Sequence, residues 1–132
     1  MRFLVFFLFS FRIAFSQTQT DLATIKPKDK FAHILSEPLN TDSNVSSFVI
    51  WINDEVKAHQ HLSHSEHVVI IEGSGKMLLG DQKIDVHPGD LIFIPEKTVH
   101  ALKVTSTEPM KVLSIQSPEF DGSDRVPVDI KW

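Results

Sequence analysis

From Phe31 onward the chain is a succession of short apolar runs in which hydrophobic and polar side chains alternate: FAHIL (31–35), SSFVIWIN (46–53), HVVIIE (67–72), KMLLG (76–80), QKIDVH (82–87), LIFIP (91–95), VHALKVTS (99–106) and MKVLSIQS (110–117). A period of two puts successive side chains on opposite faces of a strand, so each run predicts a half-buried β-strand. Turn residues separate them, at Glu72-Gly73-Ser74-Gly75, Gly80-Asp81, Pro88-Gly89-Asp90 and Pro95-Glu96-Lys97-Thr98. No window carries a helical period. Eight or more strands without a helix predict one all-β domain over residues 31–117, a barrel or jelly roll. The end, PEFDGSDRVPVDIKW (118–132), reads as a turn-rich C-terminal tail able to cover a strand edge. The uninterrupted alternation of SSFVIWIN suggests an edge strand through which a homodimer could pair.

Two segments precede the domain. MRFLVFFLFSFRIAFS (1–16) has Arg2, an apolar run from Phe3 to Phe11, and the small residues Ala14 and Ser16 before Gln17, the layout of a secretory signal peptide. Arg12 interrupts the run, and a spanning helix needs about 20 apolar residues, so the expectation is a cleaved signal, a secreted or periplasmic protein, and no membrane association afterwards. QTQTDLATIKPKDK (17–30) is polar, aperiodic and contains a proline, and reads as a tether.

Composition then limits the chemistry. The chain of 132 residues has a formal charge of −4, and loss of Arg2 and Arg12 leaves 11 basic against 17 acidic residues, or −6. With no basic run, nucleic acid is not expected as a partner. Cysteine is absent, so neither disulfides nor thiolate ligands are available, and any metal must be held by nitrogen and oxygen.

Four of the seven histidines lie in HQHLSHSEH (59–67). His59 and His61 leave the same face of an extended segment and can converge on one ion. Glu66 has the wrong parity to join them on one continuous strand, so a turn through Leu62–Ser65 must intervene. Beyond it, Glu66 shares a face with Val68 and Ile70, which aims a carboxylate into an apolar interior, a costly placement unless it is paired or cation-bound. His100 likewise shares a face with Leu102 and Val104. His64 and His67 are expected at the rim of such a site or behind its ligands, and His33 and His87 are expected to be structural or exposed.

These residues resemble the two motifs of the cupin superfamily. In the first motif, His59-Gln60-His61, Glu66 and Gly73 match, with Asn53 at the usual leading glycine. In the second, Gly89, Pro95 and His100 match, with Lys97 where glycine is usual and Val104 where asparagine is usual. The resemblance covers about Phe31 to Gln116. It implies a double-stranded β-helix of the jelly-roll type, with a metal held by His59, His61, Glu66 and His100. Three nitrogens and one oxygen leave two positions open on an octahedral ion, which suits a divalent transition metal such as Fe, Mn, Ni, Co, Zn or Cu.

What is missing shapes the ligand expectation. Beyond the leader the chain has one arginine, Arg125, and no tyrosine at all. Cupin enzymes resembling cysteine dioxygenase or the oxalate-processing group use those side chains to grip anions or move protons. Unless Arg125 folds back or Lys76, Lys103 or Lys111 turns inward, the pocket should be mostly apolar, drawn from Phe48, Ile50, Trp51, Met77, Leu79, Phe93 and Leu102, and suited to a small neutral or aromatic molecule. The resemblance admits an oxygenase similar to the quercetinase-like cupins, a non-catalytic metal or small-ligand binder, or a germin-like redox protein on manganese. Among residues outside the ligand set, His64, His67 and Glu55 are the nominees for a general base.

Overall fold

A computed structural model describes residues 18–132; the proposed signal, residues 1–16, lies outside them. Ten strands follow in order: β1 Ile34–Thr41, β2 Ser46–Ile52, β3 Glu55–His61, β4 Ser65–Glu72, β5 Gly75–Leu79, β6 Gln82–Val86, β7 Leu91–Ile94, β8 His100–Val104, β9 Met110–Ser117 and β10 Arg125–Pro127. They form two five-stranded antiparallel sheets, β1-β2-β9-β4-β7 and β10-β3-β8-β5-β6. The chain crosses between sheets at most connections, as a double-stranded β-helix requires, and no helix among the described residues is long and apolar enough to cross a membrane.

The alternation located most strands well; the run MKVLSIQS coincides with β9. The differences have physical causes; β3, for one, matches none of the eight runs because EVKAHQH carries few apolar side chains. The first strand begins at Ile34 and continues to Thr41 through polar ILSEPLNT, a composition an outer strand tolerates, with a register shift between Pro38 and Asn40, next to a proline that has no N–H to donate. SSFVIWI is not an edge, because β1 pairs along one side of β2 and β9 along the other, so the edge proposed for pairing copies is covered within the chain. Short β10 has no apolar run and owes its strand to pairing with β3: Arg125 opposite His61, Val126 opposite Gln60 and Pro127 opposite His59.

The apolar core lies between the sheets, where Ile52, Ile70, Met77, Ile94, Met110 and Val112 are each 5 % exposed or less. Part of the outer face of the first sheet, over β2 and β9, is covered as well. Trp51 and Lys111 pair across β2 and β9, both buried. Lys111 reaches Glu72 at 2.5 Å and donates to the Ala23 carbonyl at 3.3 Å, while the backbone N–H of Lys28 donates to Glu37 at 2.8 Å. Residues 18–30 therefore run along this sheet, hydrogen-bonded to it at several points.

Backbone sterics constrain several positions, Lys97 and Gly75 among them. Lys97, at the place of the motif's usual glycine, has a φ of 61°, in the left-handed region that costs a residue with a Cβ about 1–2 kcal/mol. A Cβ on Gly75 would stand 2.6 Å from the Lys103 carbonyl oxygen and 2.9 Å from Met110 Sδ. In thermal and urea unfolding, Lys97→Gly should therefore stabilise by about 0.5–1 kcal/mol, part of the relieved strain being offset by glycine's freedom in the unfolded chain. Gly75→Ala should destabilise by about 1–3 kcal/mol; the opposite signs would contradict the backbone described here.

Candidate metal centre

The inner face of each of four neighbouring strands grades from apolar to polar toward the same end of the barrel. On β9 the order is Met110, Val112, Ser114, Gln116; on β4 it is Ile70, Val68, Glu66; on β8 it is Val104, Leu102, His100. Strand β3 reaches the same result through a register shift between Val56 and His59, which exchanges the parity of its inward residues so that His59 and His61 follow Val56 into the interior. Cross-strand pairing of His59 with His100, and of Glu66 with Gln116, brings the polar ends together. The pairing of β4 in the opposite sheet supplies the turn expected between His61 and Glu66.

His59, His61 and His100 are each 5 % exposed or less, and each offers a ring nitrogen within 4.8 Å of the other two, a group that could hold a metal ion. Their Nδ1 atoms are occupied by chain acceptors: the Lys57 carbonyl at 2.8 Å from His59, the Thr98 carbonyl at 3.0 Å from His100, and Asp124 Oδ1 at 3.3 Å from His61. An imidazole that donates from Nδ1 is the tautomer with a bare lone pair on Nε2, the form a metal ligand needs. The Nε2 of His100 is buried without a hydrogen-bond partner among the described residues. Glu66 Oε2 lies 3.5 Å from that nitrogen and 3.7 Å from His61 Nε2, beyond good hydrogen-bond length but close enough to share a cation with them. The other oxygen, Oε1, accepts from Ser114 Oγ at 2.5 Å.

Electrostatics favour the same protonation states. Burial, reinforced by the neighbouring His100, pushes His59 down from 6.5 to about 3. Burial lowers His61 too, against the pull of Glu66 and Asp124. For Glu66 burial alone would raise the pKa, but the adjoining His100 ring and the Ser114 hydroxyl outweigh it and hold the carboxyl below its ordinary value. The site therefore favours uncharged His59 and His61 beside an ionised Glu66.

Asp124, in the C-terminal tail, carries no motif signal and was not among the expected site residues. It accepts from His61, from the Ser63 backbone N–H at 2.9 Å and from His64 Nδ1 at 2.5 Å. His64 Nε2 faces the Glu119 carbonyl at 2.6 Å, so both its nitrogens meet acceptors. Although burial opposes it, these bonds raise the pKa of His64. His64 thus stands behind His61 through Asp124. His67, adjacent in sequence to inward Glu66, has the opposite parity and stacks on exposed Phe93 outside the barrel, with ring centroids 4.8 Å apart, far from a rim position. His33 and His87 are exposed beside Asp54 and Asp90.

A cavity of about 310 Å³ opens onto the three histidines. Phe48, Ile50, Met77 and Leu102 line it as expected. Trp51, Leu79 and Phe93 do not: Trp51 and Phe93 have outward parity, and Leu79 packs against the core. Arg125 does fold back, because β10 pairs with β3, and it joins the wall together with Phe120, whose ring packs edge-on against His61 at 5.1 Å. None of the three lysines reaches the cavity; Lys76 pairs with Asp85, Lys103 with the Trp132 carbonyl, and Lys111 with Glu72.

The buried histidines make stability depend on pH with a definite sign. An unfolded chain protonates these rings near pH 6.5, whereas folded His59 resists until about 3, so the unfolded state binds more protons across that window. Metal-free protein should lose stability as pH falls below about 6.5, by up to about 1.4 kcal/mol per pH unit per excluded proton. His64 acts oppositely, its contribution being present at low pH and lost as pH rises, but one ring opposes two. Urea unfolding at stepped pH measures this; stability that is flat or rising toward acid would contradict it.

A model of the cupin domain matches residues 47–116, the region that contains every residue of the histidine cluster. An uncharacterized protein of Aquifex aeolicus is 35% identical over 92 residues, which is 70% of this chain and 75% of that protein. Quercetin 2,3-dioxygenase of Bacillus subtilis is 29% identical over 83 residues, covering 59% of this chain but 24% of the enzyme. Among solved structures, KdgF from Halomonas sp. superposes with a TM-score of 0.65 at 21% identity, over 71% of this chain and 86% of that one, a likeness of fold. The match over residues 47–116 takes in more than half the chain, and on that ground the protein belongs to the cupin domain family.

Proposed function

We propose that the chain is a secreted or periplasmic cupin that binds one divalent transition metal through His59, His61, Glu66 and His100 and acts as a metal-dependent oxygenase on a small aromatic substrate. The observation that carries the metal reading is the arrangement of the three imidazoles: each Nδ1 is engaged by the chain, the remaining ring nitrogens converge, and buried His100 Nε2 has no hydrogen-bond partner among the described residues. Such a donor set suits Fe, Mn, Ni, Co, Zn or Cu. When bound, the ion supplies Lewis acidity and, if redox-active, the means to activate dioxygen or a chelating phenolic substrate.

The chain's own residues have distinct tasks in this reading. Glu66, ionised and held at Oε1 by Ser114, keeps Oε2 available to the cation and to a proton from a substrate hydroxyl. The apolar wall of Phe48, Ile50, Val68 and Leu102 excludes water and accommodates a flat ring. Arg125 places a cation beside the cavity, where it favours an electron-rich oxygen on that ring. The 29% identity to a quercetin 2,3-dioxygenase over the barrel supports a phenolic substrate class.

Elemental analysis and dioxygen uptake test the two halves of the proposal. Purified protein should contain about one equivalent of metal and consume dioxygen with a phenolic substrate; one zinc per chain with no turnover on any loaded metal would make it a binder instead. His59→Ala, His61→Ala, Glu66→Ala and His100→Ala should each abolish stoichiometric metal and lower the melting temperature. His64→Ala, acting through Asp124, should keep the ion with affinity reduced about 10- to 100-fold, and His67→Ala should leave it unchanged. Tight metal binding by His100→Ala with loss in His64→Ala would refute this centre in favour of a local histidine loop. For localisation, intact mass should show the exported chain starting at or near Gln17; a full-length membrane-bound chain would refute export.

A further inference from the structure

Gln116 is a buried polar side chain of the cavity that the proposed metal site does not use. It is 5 % exposed, sits opposite Glu66 in the β4–β9 register, and lines the cavity beside the histidines. Its Nε2 donates to Ser114 Oγ at 3.2 Å, and its Oε1 is buried with no hydrogen-bond partner among the described residues. The orientation of this amide follows from its neighbours. Ser114 has one hydroxyl proton, and Glu66 Oε1 takes it at 2.5 Å, leaving the serine oxygen able only to accept. The group facing Ser114 must therefore be the amide NH2, which commits the carbonyl oxygen of Gln116 to the other side. The chain Gln116–Ser114–Glu66 thus fixes an acceptor in a mostly apolar cavity, where an unmet hydrogen bond costs more than in water.

We propose that Gln116 is a specificity-determining residue whose Oε1 accepts a hydrogen bond from a hydroxyl or N–H of the ligand, so that the site selects aromatic compounds carrying such a donor over otherwise equal compounds that lack it. This inference rests on the reading of the cavity as a small-aromatic site, but not on catalysis. A ligand without a donor leaves a buried carbonyl unpaired, whereas one with a donor at the right position on its ring satisfies it.

The test is calorimetric binding of benzoate and of its 2-, 3- and 4-hydroxy derivatives to zinc-loaded protein, zinc being redox-inert. The carboxylate is common to all four probes, and the hydroxyl scans the ring. At least one hydroxybenzoate should bind about tenfold more tightly than benzoate, and the matching methoxybenzoate, which cannot donate, should lose that gain. In Gln116→Met the gain should disappear while benzoate affinity and zinc stoichiometry are retained; Gln116→Leu serves if the methionine variant does not fold. The proposal is overturned if no probe gains over benzoate, if the methoxy compound gains equally, or if the gain survives both substitutions. Loss of zinc from the Gln116 variants would also overturn it, marking the amide as a metal ligand. Failure of the oxygenase reading is separate, since absent dioxygen uptake leaves these ratios intact, and a failed metal reading is met by measuring the same ratios on metal-free protein.

Discussion

Three imidazoles and a carboxylate have to be taken out of water together at one end of this barrel, and much of the structure can be understood as the means of doing so. A lone carboxylate at Glu66 would cost several kcal/mol in such surroundings. Here one oxygen accepts from Ser114, and the other lies within 3.7 Å of two histidines. Burial keeps His59 and His61 from taking up a proton, although the acceptors on their Nδ1 atoms pull the other way, and the acceptor on each Nδ1 leaves Nε2 as the lone-pair nitrogen. Buried ring nitrogens and the Glu66 carboxylate then face one another, an arrangement that could hold a metal ion.

The geometry behind this is a shared polarity gradient. Strands β3, β4, β8 and β9 each present apolar residues toward one end of the barrel and polar ones toward the other, and antiparallel pairing places the polar ends side by side. The register shift in β3 is what reconciles Val56 with His59, three residues apart yet both inward. A strictly alternating β3 could not present Val56 to the core and His59 to the cluster on the same face.

The C-terminal segment is part of the site. Phe120 packs against His61 and His64, Asp124 joins those two histidines, and Arg125 enters the cavity wall while its strand pairs with β3. A carboxylate behind a metal-binding histidine orients the ring and raises its basicity. The segment thereby gives His64, which has no place in the ligand spacing, a defined position one residue removed from His61. On the opposite wall, Gln116 and Ser114 extend the polar network of Glu66 along β9, so both ends of the cluster are tied into hydrogen bonds.

Alternation of side chains determined the all-β class, most strand positions and the inward aim of Glu66 and His100, because parity on a strand is a local property. The spacing of His59, His61, Glu66 and His100 located the cluster for a related reason: the cupin motifs encode a fixed number of residues between turns. Tertiary structure alone decided the rest. Whether SSFVIWI was an edge depended on which strands flanked it, and whether Trp51 or Phe93 lined the cavity depended on which face the sheets enclosed. Asp124, Arg125 and Gln116 show no pattern in the sequence because their roles arise from partners 50 to 64 positions away, Gln116 with Glu66 by register and the tail residues with His61 and its neighbours. Local steric and hydrophobic rules fix the side a residue faces, but the partner it meets there is set by loop closure and strand pairing over the whole chain.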